Sequence, residues 1–374
     1  MKHNWTYKKI GEVCDVKTGR LDANAADEDG VYPFFTCSKE PLRINTFSYD
    51  AECILVAGNG DLNVKYYNGK FDAYQRTYII TLKQGISNVS VKFLFYFFSL
   101  YVETLRKKSI GGVIKYIKLG DITEAQIPLP PLETQSQIVS ELDILQSIID
   151  KQKAQLKELD NLAQAVFYDM FGDPVENEKG WDVKKLGTFC SKIGSGATPR
   201  GGNESYKTEG ISLIRSLNVH NNEFVYKDLA FIDEEQARAL SNVDVQPNDI
   251  LLNITGASVA RCCVVPDYLL PARVNQHVCI IRPINDVEVH FLSRLLTNAQ
   301  YQAFLIDLAR GKAATREALP KNIVEGLPII IPPLSLQHSF AAKIESIEKQ
   351  KAAINKSIAE SQKLFDYTMD KYFG

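Results

Sequence analysis

Two stretches of the sequence concentrate side chains that could bind a partner through hydrogen bonds and charge. The first covers residues 59–70 and continues at Tyr74-Gln75-Arg76, and it mixes amides, tyrosines and cations with glycines. The second is the glycine-rich segment 194–203, which is followed later by Asn275-Gln276-His277. Amide and guanidinium groups form paired hydrogen bonds, and glycine lets a backbone approach a partner closely. These residue types favour binding chemistry over bond-making chemistry.

Patterns typical of catalytic and metal sites are missing from the sequence. Its five histidines lack a metal-site spacing such as His-Glu-x-x-His, and there is no Gly-x-Ser-x-Gly elbow. Gly194-Ser195-Gly196 lacks the Lys-Ser/Thr of a P-loop, so nucleotide binding is not expected. Pro-Pro occurs only before Leu132 and Leu334, never in the Asn/Asp-Pro-Pro-Tyr/Phe tetrapeptide of adenine methyltransferases. We therefore expect a chain with no catalytic residue, no metal and no cofactor of its own.

The length and composition are those of a globular chain. Its 374 residues suit two units of about 150 residues each. No apolar stretch reaches the roughly 18 residues that span a bilayer, and the first residues lack a signal-peptide core, so we expect a soluble, cytoplasmic protein without a membrane partner. The seven cysteines form no Cys-x-x-Cys pair, which favours reduced, buried thiols. The net charge of −2 means that nucleic-acid binding would need local clusters of cations or a basic partner.

An internal repeat is the most informative feature of the sequence. The spacing between matching segments varies within the first part of each half, but it is constant at 202 residues from the Pro-Pro-Leu motifs to the two Phe-Gly ends. Loops tolerate insertions, whereas a long packed helix does not, so each half should be a variable globular domain followed by a rigid helix. The matches pair Trp5 to Gly11 with Trp181 to Gly187, Gln75-Arg76 with Gln276-His277, Pro130-Pro131-Leu132-x-x-Gln135 with Pro332-Pro333-Leu334-x-x-Gln337, and Phe171-Gly172 with Phe373-Gly374.

The rigid elements carry apolar residues at alternating steps of three and four, which predicts two helices of about 39 residues, roughly 58 Å long. Two separate surface helices are the alternative, but equal length and period favour an antiparallel coiled coil. We call the stripe of apolar residues that would face the partner helix the seam. In the first helix the seam contains Leu142, Leu145, Ile149, Leu156 and Leu159. In the second it contains Ile344, Ile347, Ile354, Ile358 and Phe365.

The globular parts combine short β-type runs with one helical segment each, near 91–105 and 289–308, which is an α+β pattern. The predicted fold is therefore α+β, with two globular domains that alternate with two long paired helices in a pseudo-two-fold repeat. The predicted boundaries are 1–132 for the first domain, 133–172 for the first helix, 173–334 for the second domain and 335–374 for the second helix.

In the order of its doubled motifs the chain resembles the specificity subunits of Type I restriction-modification systems. The resemblance covers essentially the whole chain and depends on the Trp-x-x-x-x-Leu/Ile-Gly entries, Gly196-Ala197-Thr198-Pro199, the Pro-Pro-Leu-x-x-Gln helix starts and the Phe-Gly ends. It implies that each domain recognises one half of a bipartite double-stranded DNA target, while the helices set the spacer. It also implies two modification subunits that carry S-adenosylmethionine, and restriction subunits that translocate DNA with ATP and Mg²⁺. The first half has residues 17–22 in place of the Thr-Pro segment, which points to different half-sites.

The resemblance makes the two polar stretches candidate DNA contacts. A polar hairpin turn remains the alternative for residues 59–70, and a solvated charged face for the lysines around Gly111-Gly112. A coiled-coil adaptor that binds only proteins remains the alternative function, and the near-neutral charge favours it. The candidates in the first domain are Asn59, Asn63, Lys65, Tyr66, Tyr67, Lys70, Gln75, Arg76 and Lys115. Those in the second are Ser195, Thr198, Arg200, Asn275, Gln276, His277, Lys312, Thr315 and Arg316.

Overall fold

The computed structural model describes residues 5–311 and 317–374, which divide into two compact units. Unit 1 contains the chain up to Lys153 together with Asn355–Gly374, and unit 2 contains Ala154–Ile354. The division falls within two 40-residue helices, Leu132–Phe171 and Leu334–Phe373. Each unit therefore consists of one globular part and a portion of each long helix.

Unit 1 is built around one six-stranded sheet with the strand order β2-β7-β5-β6-β3-β4, antiparallel except between β3 and β6. A separate pair, β1 with β8, joins the start of the chain to the strand before the long helix. The strands are β1 Thr6–Lys9, β2 Cys14–Thr18, β3 Tyr32–Phe35, β4 Leu42–Ile44, β5 Tyr49–Ala57, β6 Val64–Ala73, β7 Thr77–Leu82 and β8 Gln126–Leu129. The helices are α1 Ile10–Val13, α2 Val91–Lys108, α3 Leu119–Thr123 and α4 Leu132–Phe171, of which the part up to Lys153 belongs to this unit.

Strand β5, in the middle of this sheet, is buried on both faces. Successive side chains of a strand point to opposite sides, so Ile54 and Val56 pack in the core that contains α2, while Cys53 and Leu55 pack in a smaller core on the other face. Ser90 caps the N-terminus of helix α2, and its Oγ accepts a hydrogen bond from the backbone N–H of Phe93 (3.3 Å).

Unit 2 contains a four-stranded sheet of order β10-β18-β15-β16, a three-stranded sheet of order β14-β11-β17, and the pairs β12-β13 and β9-β19. Its strands are β9 Asp182–Lys185, β10 Cys190–Ser195, β11 Ile211–Ile214, β12 Val219–His220, β13 Glu223–Phe224, β14 Ala230–Ile232, β15 Ile250–Asn253, β16 Cys262–Val264, β17 Ala272–Val274, β18 Val278–Pro283 and β19 Pro328–Ile331. Its helices are α5 Glu234–Ala239, α6 Val289–Leu296, α7 Ala299–Arg310, α8 Lys321–Glu325 and α9 Leu334–Phe373, with α9 belonging to this unit up to Ile354.

In unit 2 the strand β15 also separates two cores. Ile250 and Leu252 pack towards the long helices, and Leu251 packs towards the three-stranded sheet. The helical segment predicted near 289–308 is two helices, α6 and α7, because Asn298 interrupts it and accepts hydrogen bonds from the backbone N–H groups of the next turn. The mixture of helices and strands predicted from the sequence is confirmed.

Within each unit, portions of the two long helices contact each other in antiparallel sense. In unit 1, Nε2 of Gln152 donates to Oγ of Ser357 (2.7 Å), and the hydroxyl of Tyr372 donates to Glu141 (3.0 Å). In unit 2, Lys351 pairs with Asp160 (2.8 Å). The ten seam positions named above are all buried or half-buried.

The repeated glutamines at the start of the long helices make two equivalent hydrogen bonds in both units, and Gln135 makes a third. Nε2 of Gln135 donates to the carbonyl oxygens of Pro130 (2.9 Å) and Asn88 (2.9 Å), and its Oε1 accepts from the N–H of Ser90 (2.9 Å). Gln337 donates to Pro332 (2.8 Å) and accepts from the N–H of Glu288 (2.9 Å). Both side chains are fully buried, so each links the start of a long helix to the N-terminal end of a shorter one.

Candidate nucleic-acid interface

Four loops of unit 1 meet at one end of its sheet, and we call residues 18–21, 58–63, 74–76 and 110–117 loop cluster 1. Backbone hydrogen bonds hold them together: the N–H of Gly58 donates to the carbonyl of Arg76 (2.8 Å), and the N–H of Ile117 donates to the carbonyl of Gly58 (3.0 Å). The N–H of Gly60 donates to the carbonyl of Lys115 (3.0 Å), and that of Gln75 donates to Leu21 (2.9 Å). The cluster is therefore a fixed backbone frame.

Unit 2 contains the same frame, formed by residues 195–198, 254–261, 275–277 and 317–319, which we call loop cluster 2. The N–H of Ile254 donates to the carbonyl of His277 (3.0 Å), and the N–H of Leu319 donates to the carbonyl of Ile254 (2.8 Å). The N–H of Gly256 donates to the carbonyl of Glu317 (3.0 Å). These three bonds are equivalent to three of the four bonds of loop cluster 1.

One glycine in each cluster allows two chain segments to cross. A Cβ at Gly19 would overlap the carbonyl oxygen of Ala73, and a Cβ at Gly196 would overlap that of Val274. Because only glycine has no Cβ, any other residue would force the crossing segments apart. The two glycines are therefore equivalent, although the sequence around Gly19 lacks the Thr-Pro segment that follows Gly196.

Loop cluster 1 exposes Gln75, Arg76 and Lys115. The guanidinium of Arg76 makes no hydrogen bond or ion pair with residues 5–311 or 317–374, so its donors are available to a ligand. Beside it lies a groove of about 300 Å³, lined by Thr18, Gly58, Gln75, Arg76, Tyr78, Tyr116 and Ile117. The half-buried Asn59 pairs through its backbone with Tyr116 at the edge of this groove.

Lys65, Tyr66, Tyr67 and Lys70 lie on strand β6 and not in a loop, and DNA contacts by these four residues remain a prediction. The hydroxyl of Tyr66 donates to Glu52 (2.8 Å), and burial together with this bond raises the pKa of Tyr66 to about 12. Tyr67 packs against other aromatic rings in the smaller core. Burial lowers the pKa of Lys65. Only Lys70 of these four is fully at the surface.

Asn63 lies in the turn between β5 and β6, but its amide is already used within the chain. Nδ2 donates to the carbonyl oxygens of Cys37 (2.8 Å) and Asp61 (2.9 Å), and Oδ1 accepts from Lys65. These bonds shape the turn, which matches the alternative of a polar hairpin. A DNA contact by Asn63 remains a prediction that would require these bonds to break.

In loop cluster 2 the predicted side chains hold one another in place. Thr198 donates to Oε1 of Gln276, and Nδ1 of His277 lies 2.6 Å from the hydroxyl of Thr255. Asn275 is buried, and its Oδ1 accepts from the N–H of His277 (3.0 Å). Of Asn275, Gln276 and His277, Gln276 is the exposed one, and its amide faces solvent in a fixed orientation.

Ser195 and Arg200 are exposed on either side of the crossing glycine. The guanidinium of Arg200 makes no ion pair or hydrogen bond within the described part of the chain. Lys312, Thr315 and Arg316 lie outside the described residues.

Three residues of the clusters were missed by reasoning from the sequence. Arg20 is exposed beside the crossing glycine, Tyr116 lines the groove, and Arg261 closes the β15–β16 turn, where its carbonyl accepts from the N–H of Asn253 (2.8 Å). The internal repeat could have pointed to these three residues, because each lies beside a segment that has a counterpart in the other half of the sequence.

Within residues 5–311 and 317–374, no group of three or more His, Cys, Asp or Glu side chains could hold a metal ion. The same residues contain no helix that is both long and apolar enough to cross a lipid bilayer. Five of the seven cysteines are buried, whereas Cys37 and Cys190 are half-buried, and burial raises the pKa of Cys53 and Cys263 to about 12.

The fold and the clusters define a protein of mixed helices and strands with two long helices, in which one frame of loops occurs twice with different exposed side chains. The family comparison identifies this class. The chain belongs to the family described as Type I restriction modification DNA specificity domain, whose model matches residues 2–161 and 178–362.

Relatives across most of the chain are named as specificity subunits. The Type I restriction enzyme EcoDI specificity subunit of Escherichia coli is 28% identical, over 99% of this chain and 88% of the relative. The MjaIX specificity subunit of Methanocaldococcus jannaschii is 24% identical, over 78% of this chain and 72% of the relative. The resemblance inferred from the doubled motifs is thereby confirmed.

Two solved structures share the fold. The S subunit of a Type I restriction-modification system from M. genitalium matches with a TM-score of 0.64 and 16% identity, covering 100% of this chain and 97% of that one. A chain from a study of complex assembly and conformational transition in the type I system matches with a TM-score of 0.53 and 20% identity, covering 99% and 97%.

Proposed function

We propose that this chain is the DNA specificity subunit of a Type I restriction-modification complex, in which each loop cluster contacts one half of a bipartite double-stranded target. The main support for the proposal is that the two loop clusters have the same backbone frame but expose different side chains at equivalent positions. Gln75 and Gln276 occupy the same position in both, whereas Arg76 is replaced by His277 and Lys115 by Glu317. A shared residue suits a contact common to both half-sites, and residues that differ suit the choice of bases.

The exposed chemistry of each cluster fits groove contacts. An unpaired guanidinium such as that of Arg76 can make two hydrogen bonds to O6 and N7 of guanine, and a glutamine amide can pair with adenine in the same way. In cluster 2, Thr198 fixes the amide of Gln276, which lowers the entropy lost on binding. We infer that Lys115 and Arg200, which are both exposed cations, contact phosphates.

The long helices are inferred to form an antiparallel coiled coil that sets the unread spacer between the half-sites. The seam positions and the contacts of Gln152 with Ser357 and of Lys351 with Asp160 support this pairing. Half-sites about one turn of B-DNA apart, roughly 10 base pairs, would place both on one face of the duplex. A pseudo-two-fold relation between the halves follows from the sequence repeat and stays part of the proposal.

The same helices are proposed to dock two modification subunits. In unit 1, Ile144 and Ile148 are 58% and 40% exposed on α4, beside a groove of about 520 Å³ that Ser140, Ser147 and Lys151 also line. Apolar side chains exposed on the solvent-facing side of a helix are typical of a protein contact. Methyl transfer, with S-adenosylmethionine, and ATP-driven translocation would belong to the modification and restriction subunits, so this chain would be non-catalytic.

Modified-base sequencing of DNA from cells that express the chain with its modification subunit tests the proposal. We expect a methyladenine motif of two short half-sites around a fixed spacer, absent when the chain is deleted. Arg76→Ala should relax or abolish one half-site only, whereas Arg238→Ala, an exposed arginine on α5 outside both clusters, should leave the motif unchanged. Loss of both half-sites with Arg76→Ala would contradict the assignment of one cluster to one half-site.

The alternative function, an adaptor that binds only proteins, predicts a different result. If the adaptor function is right, gel-shift assays would detect no DNA binding by the isolated chain or by the chain together with the modification subunit. We expect weak binding by the isolated chain, because its net charge is −2, and specific binding by the complex.

A further inference from the structure

Two apolar side chains at the tip of the hairpin of residues 110–116, in loop cluster 1, are exposed to solvent. Val113 is 103% exposed and Ile114 is 62% exposed. Apolar side chains of this size usually pack against other apolar groups, because removing their surface from water is favourable. Val113 and Ile114 are more exposed than Ile110 at the base of the same hairpin, which is 42% exposed.

The tip belongs to a hairpin that is held by backbone hydrogen bonds, both across the hairpin and to the rest of loop cluster 1. The N–H of Ile110 donates to the carbonyl of Tyr116 (3.0 Å), and the N–H of Tyr116 donates back to Ile110 (2.9 Å). Gly111 has a φ of +120°, a conformation open mainly to glycine, and a Cβ there would lie 2.5 Å from the carbonyl oxygen of Ile114. The bonds of Gly60 to Lys115 and of Ile117 to Gly58 fasten the hairpin to the frame.

The surroundings of the tip are suited to a polyanion. Lys115 adjoins the apolar pair, Lys107 and Lys118 flank the hairpin at the surface, and the ring of Tyr116 lines the groove beside Arg76. Two aliphatic side chains cover far less area than the roughly 800 Å² that each partner contributes to a stable protein interface. Small apolar side chains flanked by cations match the wedges that minor-groove proteins insert between base pairs.

We propose that Val113 and Ile114 form a wedge that enters a base step of the half-site contacted by unit 1 and unstacks it. The inference rests on the proposed DNA-binding function and deepens it by assigning a DNA distortion to one unit. In the sequence, the two residues before Glu317, the counterpart of Lys115, are Thr and Arg, so the repeat has no apolar pair at the matching positions. The second half-site should therefore be bound without such a wedge.

A fluorescence scan tests the wedge on the assembled complex. Duplexes that contain the methylation motif carry 2-aminopurine at successive positions of both half-sites, since this base brightens when it is unstacked. With the wild-type complex we expect enhanced fluorescence at one step, in one half-site. Val113→Ser/Ile114→Ser should abolish it, whereas Val113→Ile/Ile114→Leu should retain it. Affinity should change by less than about tenfold, because the lost apolar contact and the avoided cost of unstacking offset each other.

The matched control is Val31→Ser, which removes another strongly exposed valine of unit 1 outside the cluster and should leave the fluorescence unchanged. Specific binding without any enhanced step would overturn the wedge and leave the proposed function standing. Unaltered unstacking by the assembled Val113→Ser/Ile114→Ser complex would overturn the wedge, and failure of this variant to assemble would overturn it in favour of a protein contact. Absence of DNA binding by every form, wild type included, would overturn both proposals.

Discussion

Replacing Gln135 by leucine should destabilise unit 1 measurably, because this buried side chain makes three hydrogen bonds to backbone groups. The bonds go to the carbonyls of Pro130 and Asn88 and from the N–H of Ser90, each at 2.9 Å. A net contribution of about 1 kcal/mol per bond gives a loss of roughly 3 kcal/mol in the free energy of unfolding. Gln337→Leu breaks two such bonds, so its expected cost is about 2 kcal/mol.

Urea unfolding followed by circular dichroism measures the loss, and hydrogen exchange of α2 and the start of α4 assigns it to unit 1. The matched control is Gln155→Leu on the exposed side of the same helix, which should stay within about 0.5 kcal/mol of wild type. A cost below about 1 kcal/mol for Gln135→Leu, or an equal cost for Gln155→Leu, would refute the role given to the buried amide.

Three further predictions concern a charge, a thiol and the helix seam. Asp249 is fully buried and binds Arg282 through two bonds of 2.7 and 2.8 Å, so Asp249→Asn should lower stability by about 3 kcal/mol in urea unfolding; a change within error would contradict the pairing. Because burial raises the pKa of Cys53 to about 12, its thiol should resist alkylation at pH 8 in the folded protein and react after denaturation; rapid labelling of native protein, located by mass spectrometry, would contradict this. Leu156→Asp should uncouple the long helices and prevent assembly with the modification subunit in size-exclusion chromatography, whereas Lys157→Asp on the exposed face should not; normal assembly of both would argue against pairing.

The linear pattern was enough to find the elements that depend on neighbouring residues. The three- and four-residue steps that predicted the seam recur in the buried and half-buried positions of α4 and α9, because side chains three and four residues apart share one face of a helix. The constant spacing of 202 residues likewise matched two helices of equal length. The doubled motifs also identified the family.

The polar stretch at 59–70 could not be interpreted in the same way. Its tyrosines and lysines have residue types suited to recognition, yet Tyr66 and Tyr67 face opposite sides of β6 and pack in two different cores. Which side of a strand faces the interior depends on the sheet and helix packed against it, and neither is encoded locally. Asn63 was misleading for a similar reason, since its partner Cys37 is 26 residues away in the chain.

The sequence by itself determined the repeat, the two long helices, the mixed fold and the family, because each depends on periodicity or on the order of motifs along the chain. Only the tertiary structure decided which candidate side chains remain free. Backbone hydrogen bonds between segments far apart in sequence, such as Gly58 with Arg76 and Ile254 with His277, bring four loops together in each unit. Those long-range bonds leave Arg76 and Gln276 at the surface, withdraw Asn63 and Asn275, and hold Val113 and Ile114 out into solvent.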